Sequence, residues 1–222
     1  MSQIADRLQS IRAELKPGVK LIAVSKTYPA EAVMEAHAAG QRIFGENKVQ
    51  EMAEKQAQCP ADIEWHLIGH LQTNKVKYIA PFVSLIHSVD SLRLLAEIDK
   101  RAAACGRVIS CLLQIFIATE QTKFGLDAEE CMALLVSEDF ARMKNIKIAG
   151  LMGMASMTND QTRIRQEFRG LKNLFDHIKE RGFAGDDQFG QLSMGMSSDM
   201  HIAMEEGSTM VRIGTAIFGS RH

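Results

Sequence analysis

Short apolar segments alternate with longer amphipathic ones along almost the whole of this chain, and that alternation restricts the fold more than any single motif does. The apolar segments lie near residues 20–25, 41–44, 64–68, 83–87, 108–117, 146–151, 189–193 and 210–213. Most have the length and continuity of strands buried on both faces. Helical patterns separate them, near 30–39, 47–57, 73–79, 91–104, 127–137, 161–181 and 198–206. A strand followed by a helix, repeated without hairpin signals, predicts a parallel sheet. Eight such strands predict an α/β fold closed as a single (β/α)8 TIM barrel, with an open doubly wound sheet as the alternative. Ahead of the first strand, Ile4, Leu8, Ile11 and Leu15 recur at helical spacing and Lys16-Pro17-Gly18 ends the run, so an extra N-terminal helix is expected. No linker-like stretch divides the 222 residues, and one domain over 1–222 is expected.

Composition excludes several classes of function. Net charge is −1 with both signs interspersed, which offers neither a nucleic-acid-binding face nor a membrane-surface patch. No apolar run approaches the length of a membrane span, and residues 2–7 lack the plan of a signal peptide. Cys59, Cys105, Cys111 and Cys131 form no CxxC pair, as expected of reduced thiols in a cytoplasmic protein.

Barrel active sites lie where strands end and loops begin. Here those positions are rich in Gly and polar residues: Gly45-Glu46-Asn47, Gly69-His70-Leu71-Gln72, His87-Ser88-Val89-Asp90, Met152 to Ser156, Met194 to Ser198, and Gly214-Thr215. Lys26 closes the first apolar run. A lysine there either snorkels to solvent or, desolvated, acts as a nucleophile toward carbonyls. The loops after the seventh and eighth strands are where barrels bind phosphate. Ser193 to Asp199 and Ile213-Gly214-Thr215 supply glycine, hydroxyls and following helical segments, and no Lys or Arg of their own at the cradle. Ser197 or Ser198 could equally be a helix N-cap. Alternation along the last strand points Met210, Arg212 and Gly214 inward. An inward guanidinium needs an acceptor, either an internal carboxylate such as Glu46 or Asp90 or a ligand atom with a lone pair. An imine-forming lysine, a phosphate cradle and a cation facing a ring nitrogen together fit pyridoxal 5′-phosphate.

Long motifs then connect the chain to a known family. Leu21 to Thr27, Phe44-Gly45-Glu46-Asn47, Trp65 to Lys75, Gly150 to Met154, Leu192 to Ser197 and Val211 to Gly219 closely resemble the pyridoxal phosphate homeostasis protein family, from about residue 4 onward. The resemblance implies a single barrel similar to the N-terminal domain of alanine racemase. It also implies binding of pyridoxal phosphate, no established catalysis and a part in vitamin B6 balance. By resemblance, Lys26 forms a Schiff base with the cofactor, Arg212 faces its pyridine nitrogen, Ser197, Gly214 and Thr215 hold the phosphate, and Asn47 lies near the ring. The segment Ile115 to Gly125 also looks familial. Phe116 stands there where the family's pattern suggests a polar residue, so no polar contact is expected from it.

An arginine at the pyridine nitrogen exchanges no proton with it at neutral pH. The ring is then a weaker electron sink than one paired with a carboxylate. This suits slow or absent chemistry, or racemisation, and argues against transamination. Three functions follow as alternatives: a carrier that buffers or delivers the cofactor to apo-enzymes, an amino-acid racemase or decarboxylase, and a cofactor-free lysine aldolase. Racemisation needs a second acid/base, which in alanine racemase is a tyrosine from a C-terminal β-domain of the partner subunit. This chain ends seven residues after Thr215 and has only Tyr28 and Tyr78, so a carrier with an open site is expected, as a monomer. His66 and His70, four apart on a strand and its exit, are expected as polar rim residues with no metal.

Overall fold

The computed structural model describes residues 2–118, 124–183 and 188–219. Its chain opens with α1 (Gln3–Glu14), β1 (Lys20–Val24), α2 (Ala30–Ala38), β2 (Ile43–Glu46), α3 (Val49–Gln56) and β3 (Glu64–Leu67). A single 3-10 turn at Thr73–Lys75 leads into α4 (Val76–Ile79), followed by β4 (Leu85–Val89), α5 (Leu92–Ala104) and β5 (Ile109–Ile115). The remainder runs α6 (Ala128–Leu135), α7 (Glu138–Arg142), β6 (Ile146–Gly153), α8 (Gln161–Gly182), β7 (Gln191–Ser193), α9 (Met200–Glu205), β8 (Met210–Ile213) and α10 (Thr215–Phe218).

All eight strands pair in parallel in chain order, and β1 closes on β8 with Lys20 opposite Met210 and Ile22 opposite Arg212. The barrel is therefore complete and the open-sheet alternative is ruled out. Closure removes the exposed edges a parallel sheet would otherwise leave. Two apolar layers hold it. Between barrel and helices pack residues such as Ala23, Phe44, Leu67, Ile86, Leu113, Leu151 and Val211. Inside the barrel, Ile22, Leu85, Leu112, Ala149, Met152 and Met210 form a smaller cluster.

The helices follow from local chemistry. Ser2 caps α1 by accepting from the Ala5 N–H, and Ile4, Leu8 and Ile11 bury one stripe. This extra helix packs on α2 and α10. Asp127 and Glu130 form a capping box at α6. In α8, Ile164, Phe168, Leu171, Phe175 and Ile178 recur every three or four residues and are all buried. Among the described residues no helix is long and apolar enough to cross a membrane.

Several expectations shift by a few residues. The second strand starts at Ile43, because the buried Gln41 turns its amide to the carbonyls of Leu21 and Ile43. The fourth runs on to Val89, which carries His87 inside the barrel and away from the rim. The expected helix 127–137 is followed by a separate turn, α7, capped by Ser137. Thr119 to Lys123 of the familial segment lie outside the described residues.

Candidate functional site

A cavity of about 390 Å³ opens at the carboxyl ends of the strands. Each of the six residues singled out in the sequence lines it: Lys26 after β1, Asn47 after β2, Ser197 after β7, and Arg212, Gly214 and Thr215 on and after β8. Val24, Ile68 and Met154 add apolar wall, His70 lines the rim as expected, and Gln114 adds a polar group that the sequence did not single out. Gln114 is held by its amide, which donates to the Phe124 carbonyl at 2.8 Å. His70 stacks on Phe124 with ring centroids 4.6 Å apart, and its Nδ1 lies 3.4 Å from Asp90.

Lys26 stands on a braced turn. Thr27, immediately after it, has a φ of +70°. That conformation costs a β-branched residue on the order of 1–3 kcal/mol. It persists because the flanking groups are tied down. Buried Lys55 donates to the Ser25 carbonyl at 2.7 Å, to Glu46 Oε1 at 2.7 Å and to Glu51 Oε1 at 2.8 Å. Glu51 Oε1 in turn accepts the Thr27 N–H, and the Ser25 hydroxyl donates to Glu46 at 2.6 Å. Glu46 is fully buried, its other oxygen has no hydrogen-bond partner among the described residues, and burial raises its carboxyl above the ordinary range. Of the expected rim loop Gly45-Glu46-Asn47, then, Asn47 lines the cavity while Glu46 braces from behind. Asn47 is fixed from the far side: a Cβ at Gly69 would lie 2.4 Å from the Asn47 carbonyl oxygen, so only glycine permits this approach.

Arg212 does point into the barrel, and of its two possible acceptors the carboxylates are engaged elsewhere. Glu46 pairs with Lys55 and Asp90 lies beside His70. The guanidinium donates instead to Ser193 Oγ at 2.6 Å and to the Gly153 carbonyl at 3.1 Å. Burial brings it down to about 10, and the charge of Asp199 opposes that shift. It remains a cation at neutral pH, held by neutral acceptors and facing the cavity.

The two serines after β7 part company. Ser197 lines the cavity, whereas Ser198 faces a separate cleft beside Asp199 and Met157. Neither is the N-cap. Asp199 occupies that place at α9, with its carboxylate accepting the Met196 N–H at 2.6 Å. Gly214 takes the corresponding position at α10, so Thr215 opens that turn at the edge of the cavity.

His66 is not at the rim. It is buried within the barrel with His87 Nε2 3.0 Å from its Nδ1. Among the described residues no group of three or more His, Cys, Asp or Glu is placed to hold a metal ion. Tyr28 packs at a tilt against Phe218 and its hydroxyl donates to the Gly219 carbonyl at 2.6 Å, and it does not line the cavity. Ser193 and His87, which support Arg212 from below, were legible only through strand alternation: each is two residues beyond an inward neighbour, Gln191 and Leu85.

A family model for the alanine racemase N-terminal domain matches residues 1–222. The chain is 39% identical to the pyridoxal phosphate homeostasis protein of Aquifex aeolicus, across all of this chain and 96% of that one. It is 37% identical to the protein of the same name from Pseudomonas aeruginosa, across all of this chain and 97% of the relative. Among solved structures, PipY of Synechococcus elongatus with pyridoxal phosphate bound superposes with a TM-score of 0.87 at 39% identity, covering 97% of this chain and 100% of that one. Alanine racemase of Clostridium difficile shares the barrel alone, with a TM-score of 0.75 at 14% identity over 99% of this chain and 57% of the racemase.

Proposed function

The chain belongs to the pyridoxal phosphate homeostasis proteins, within the alanine racemase N-terminal domain family, and from that premise we propose that it binds pyridoxal 5′-phosphate reversibly and exchanges it with other proteins. One observation carries the reading. An amine, a guanidinium and two hydroxyls, on Lys26, Arg212, Ser197 and Thr215, converge on one cavity from different strands. The cofactor has an aldehyde, a ring nitrogen with a lone pair, and a phosphate, and the donor set answers each of them. A volume of about 390 Å³ is at the lower end of the usual range for small-molecule sites.

In this reading Lys26 anchors the cofactor covalently as a Schiff base, and the Lys55–Glu46–Glu51 brace keeps its turn in place. Ser197, Thr215 and the backbone at Gly214 take the phosphate, where the first N–H groups of a helical turn have no partner within it. Asn47 lies beside the ring. Arg212 donates to the ring nitrogen. The cofactor supplies an electrophilic carbonyl and, when its ring nitrogen is protonated, an electron sink. Arg212 keeps its own protons and lends none, so the sink stays weak. That favours storage over amino-acid chemistry. The geometry of Tyr28 supports the same conclusion, since its hydroxyl is committed to Gly219 outside the cavity. The function proposed is therefore maintenance of the free cofactor level, with delivery to apo-enzymes, rather than turnover of a substrate.

Two measurements test the proposal. Titration with pyridoxal phosphate should show binding weakened at least tenfold in Lys26→Ala, about 1.4 kcal/mol or more, with residual affinity from the phosphate contacts. Equal affinity in the two proteins would contradict the covalent anchor. For delivery, the loaded protein should reactivate an apo-enzyme faster than the same concentration of free cofactor does. Equal rates would reduce the protein to a buffer.

A further inference from the structure

Below the cavity, a line of hydrogen bonds crosses the barrel. Arg212 Nη1 donates to Ser193 Oγ at 2.6 Å, Ser193 Oγ lies 2.9 Å from His87 Nδ1, and His87 Nε2 lies 3.0 Å from His66 Nδ1. Strands β8, β7, β4 and β3 contribute one buried member each. Its direction is set by one of them. A guanidinium has only donors, so Ser193 accepts from Arg212. Among the described residues the Ser193 hydroxyl proton has no acceptor but His87 Nδ1. His87 then carries its proton on Nε2 and gives that hydrogen bond to His66 Nδ1. The proton of His66 is left on Nε2. Neutral rings are required, because an imidazolium donates at both nitrogens. Burial first, then the charge of Lys20, pushes His66 down to about 3. Burial, with His66 and Arg212, holds His87 well below its ordinary value.

His66 lines a second cavity, of about 320 Å³, at the opposite, amino-terminal mouth of the barrel. Lys20, Lys147, Ser84, Ser110 and Gln191 share it, with Glu64 as the one carboxylate among its lining residues. A buried N–H donor at the floor and two ammonium groups in the wall call for an acceptor with negative charge. We propose that this mouth is a second ligand site, for a small oxyanion such as a carboxylate or phosphate, taken by His66 Nε2–H together with Lys20 and Lys147. The ligand would satisfy the last donor of a line that begins at Arg212. The site itself stands whether or not the upper cavity holds pyridoxal phosphate.

The test uses the full chain carrying ¹⁵N-histidine and loaded with pyridoxal phosphate, so that added phosphate cannot occupy the upper cradle. Long-range proton–nitrogen spectra at neutral pH should show both His66 and His87 neutral and protonated on Nε2. Titrations with acetate, phosphate and chloride at constant ionic strength should move the His66 signals saturably with one or both oxyanions and not with chloride, and the responding anion identifies the source. Lys147→Ala should weaken that response at least fivefold while leaving cofactor uptake unchanged. A proton on Nδ1 of His66 would reverse the line and overturn the proposal. So would a drift common to all three salts, which describes a solvated rim. Uptake of the cofactor is read from absorbance in the same sample, so a failure there bears on the proposed function and not on this site.

Discussion

Lys26 shows how far a single residue can be read. Its place at the end of an apolar strand was visible, and so was the inward parity of Arg212, because strand alternation needs only counting. The brace beneath Lys26 was not. Lys55 sits in a charged helix with Glu51 and Glu54 near it, and in sequence it resembles any solvated helical lysine. Only the fold brings it against Glu46 and the Ser25 carbonyl, with 5% of its surface exposed. Removing one partner of a buried charge pair typically costs about 3–5 kcal/mol, since the other is left uncompensated. Lys55→Met should therefore lower the unfolding free energy by about 3 kcal/mol in urea titrations, and Lys55→Met with Glu46→Leu should recover much of it. A single-variant loss below about 1 kcal/mol would show that the brace contributes little to stability.

At the scale of elements, the eight strands were legible because each is a continuous apolar run bounded by turn chemistry. What alternation could not show is where it breaks. Beside β5, strand β6 shifts register between Ile148 and Gly150, so Ala149 and Met152 both belong to the interior cluster although their numbers differ in parity. That shift brings Met154 to the cavity wall. Gly150 makes it possible with a φ of +149°, and a Cβ there would lie 1.8 Å from the Gln191 carbonyl oxygen on β7. Gly150→Ala must distort the β6–β7 pairing, and a loss of stability of about 3 kcal/mol or more is expected from the strain and the broken ladder. Thermal unfolding reads this directly, and an unchanged midpoint would mean that the bulge relaxes freely. The short helices were less legible for a related reason. Turns of four to six residues, such as α7 and α10, carry too few apolar repeats to show a period.

For the whole molecule, the buried histidine pair links stability to pH. Both rings stay neutral in the fold at pH values where those of an unfolded chain take up protons, below about 6.5. Stability from them is complete above that value and is lost as pH falls toward about 3 for His66. The slope is about 1.4 kcal/mol per pH unit for each histidine once the unfolded ring is protonated. Glu46 works in the opposite sense, since its raised carboxyl takes a proton in the fold before it would in the unfolded chain. Comparison with His66→Gln isolates the histidine part. Between pH 6 and pH 4.5 the native protein should lose stability more steeply than this variant in urea titrations, and parallel slopes would contradict the neutral assignment.

Closure of eight parallel strands into a barrel also explains why residues from opposite ends of the chain meet. Lys26 and Arg212 line one cavity because β1 pairs with β8, with Ile22 opposite Arg212, and this closing contact is the one the proposed cofactor site depends on. The most direct test is an absorption spectrum of the purified protein supplied with pyridoxal phosphate, before and after borohydride, with peptide mapping of the reduced sample. The account predicts a visible band that borohydride abolishes and a pyridoxyl adduct on the peptide containing Lys26. A protein that takes up no cofactor, or an adduct confined to other lysines, would contradict it.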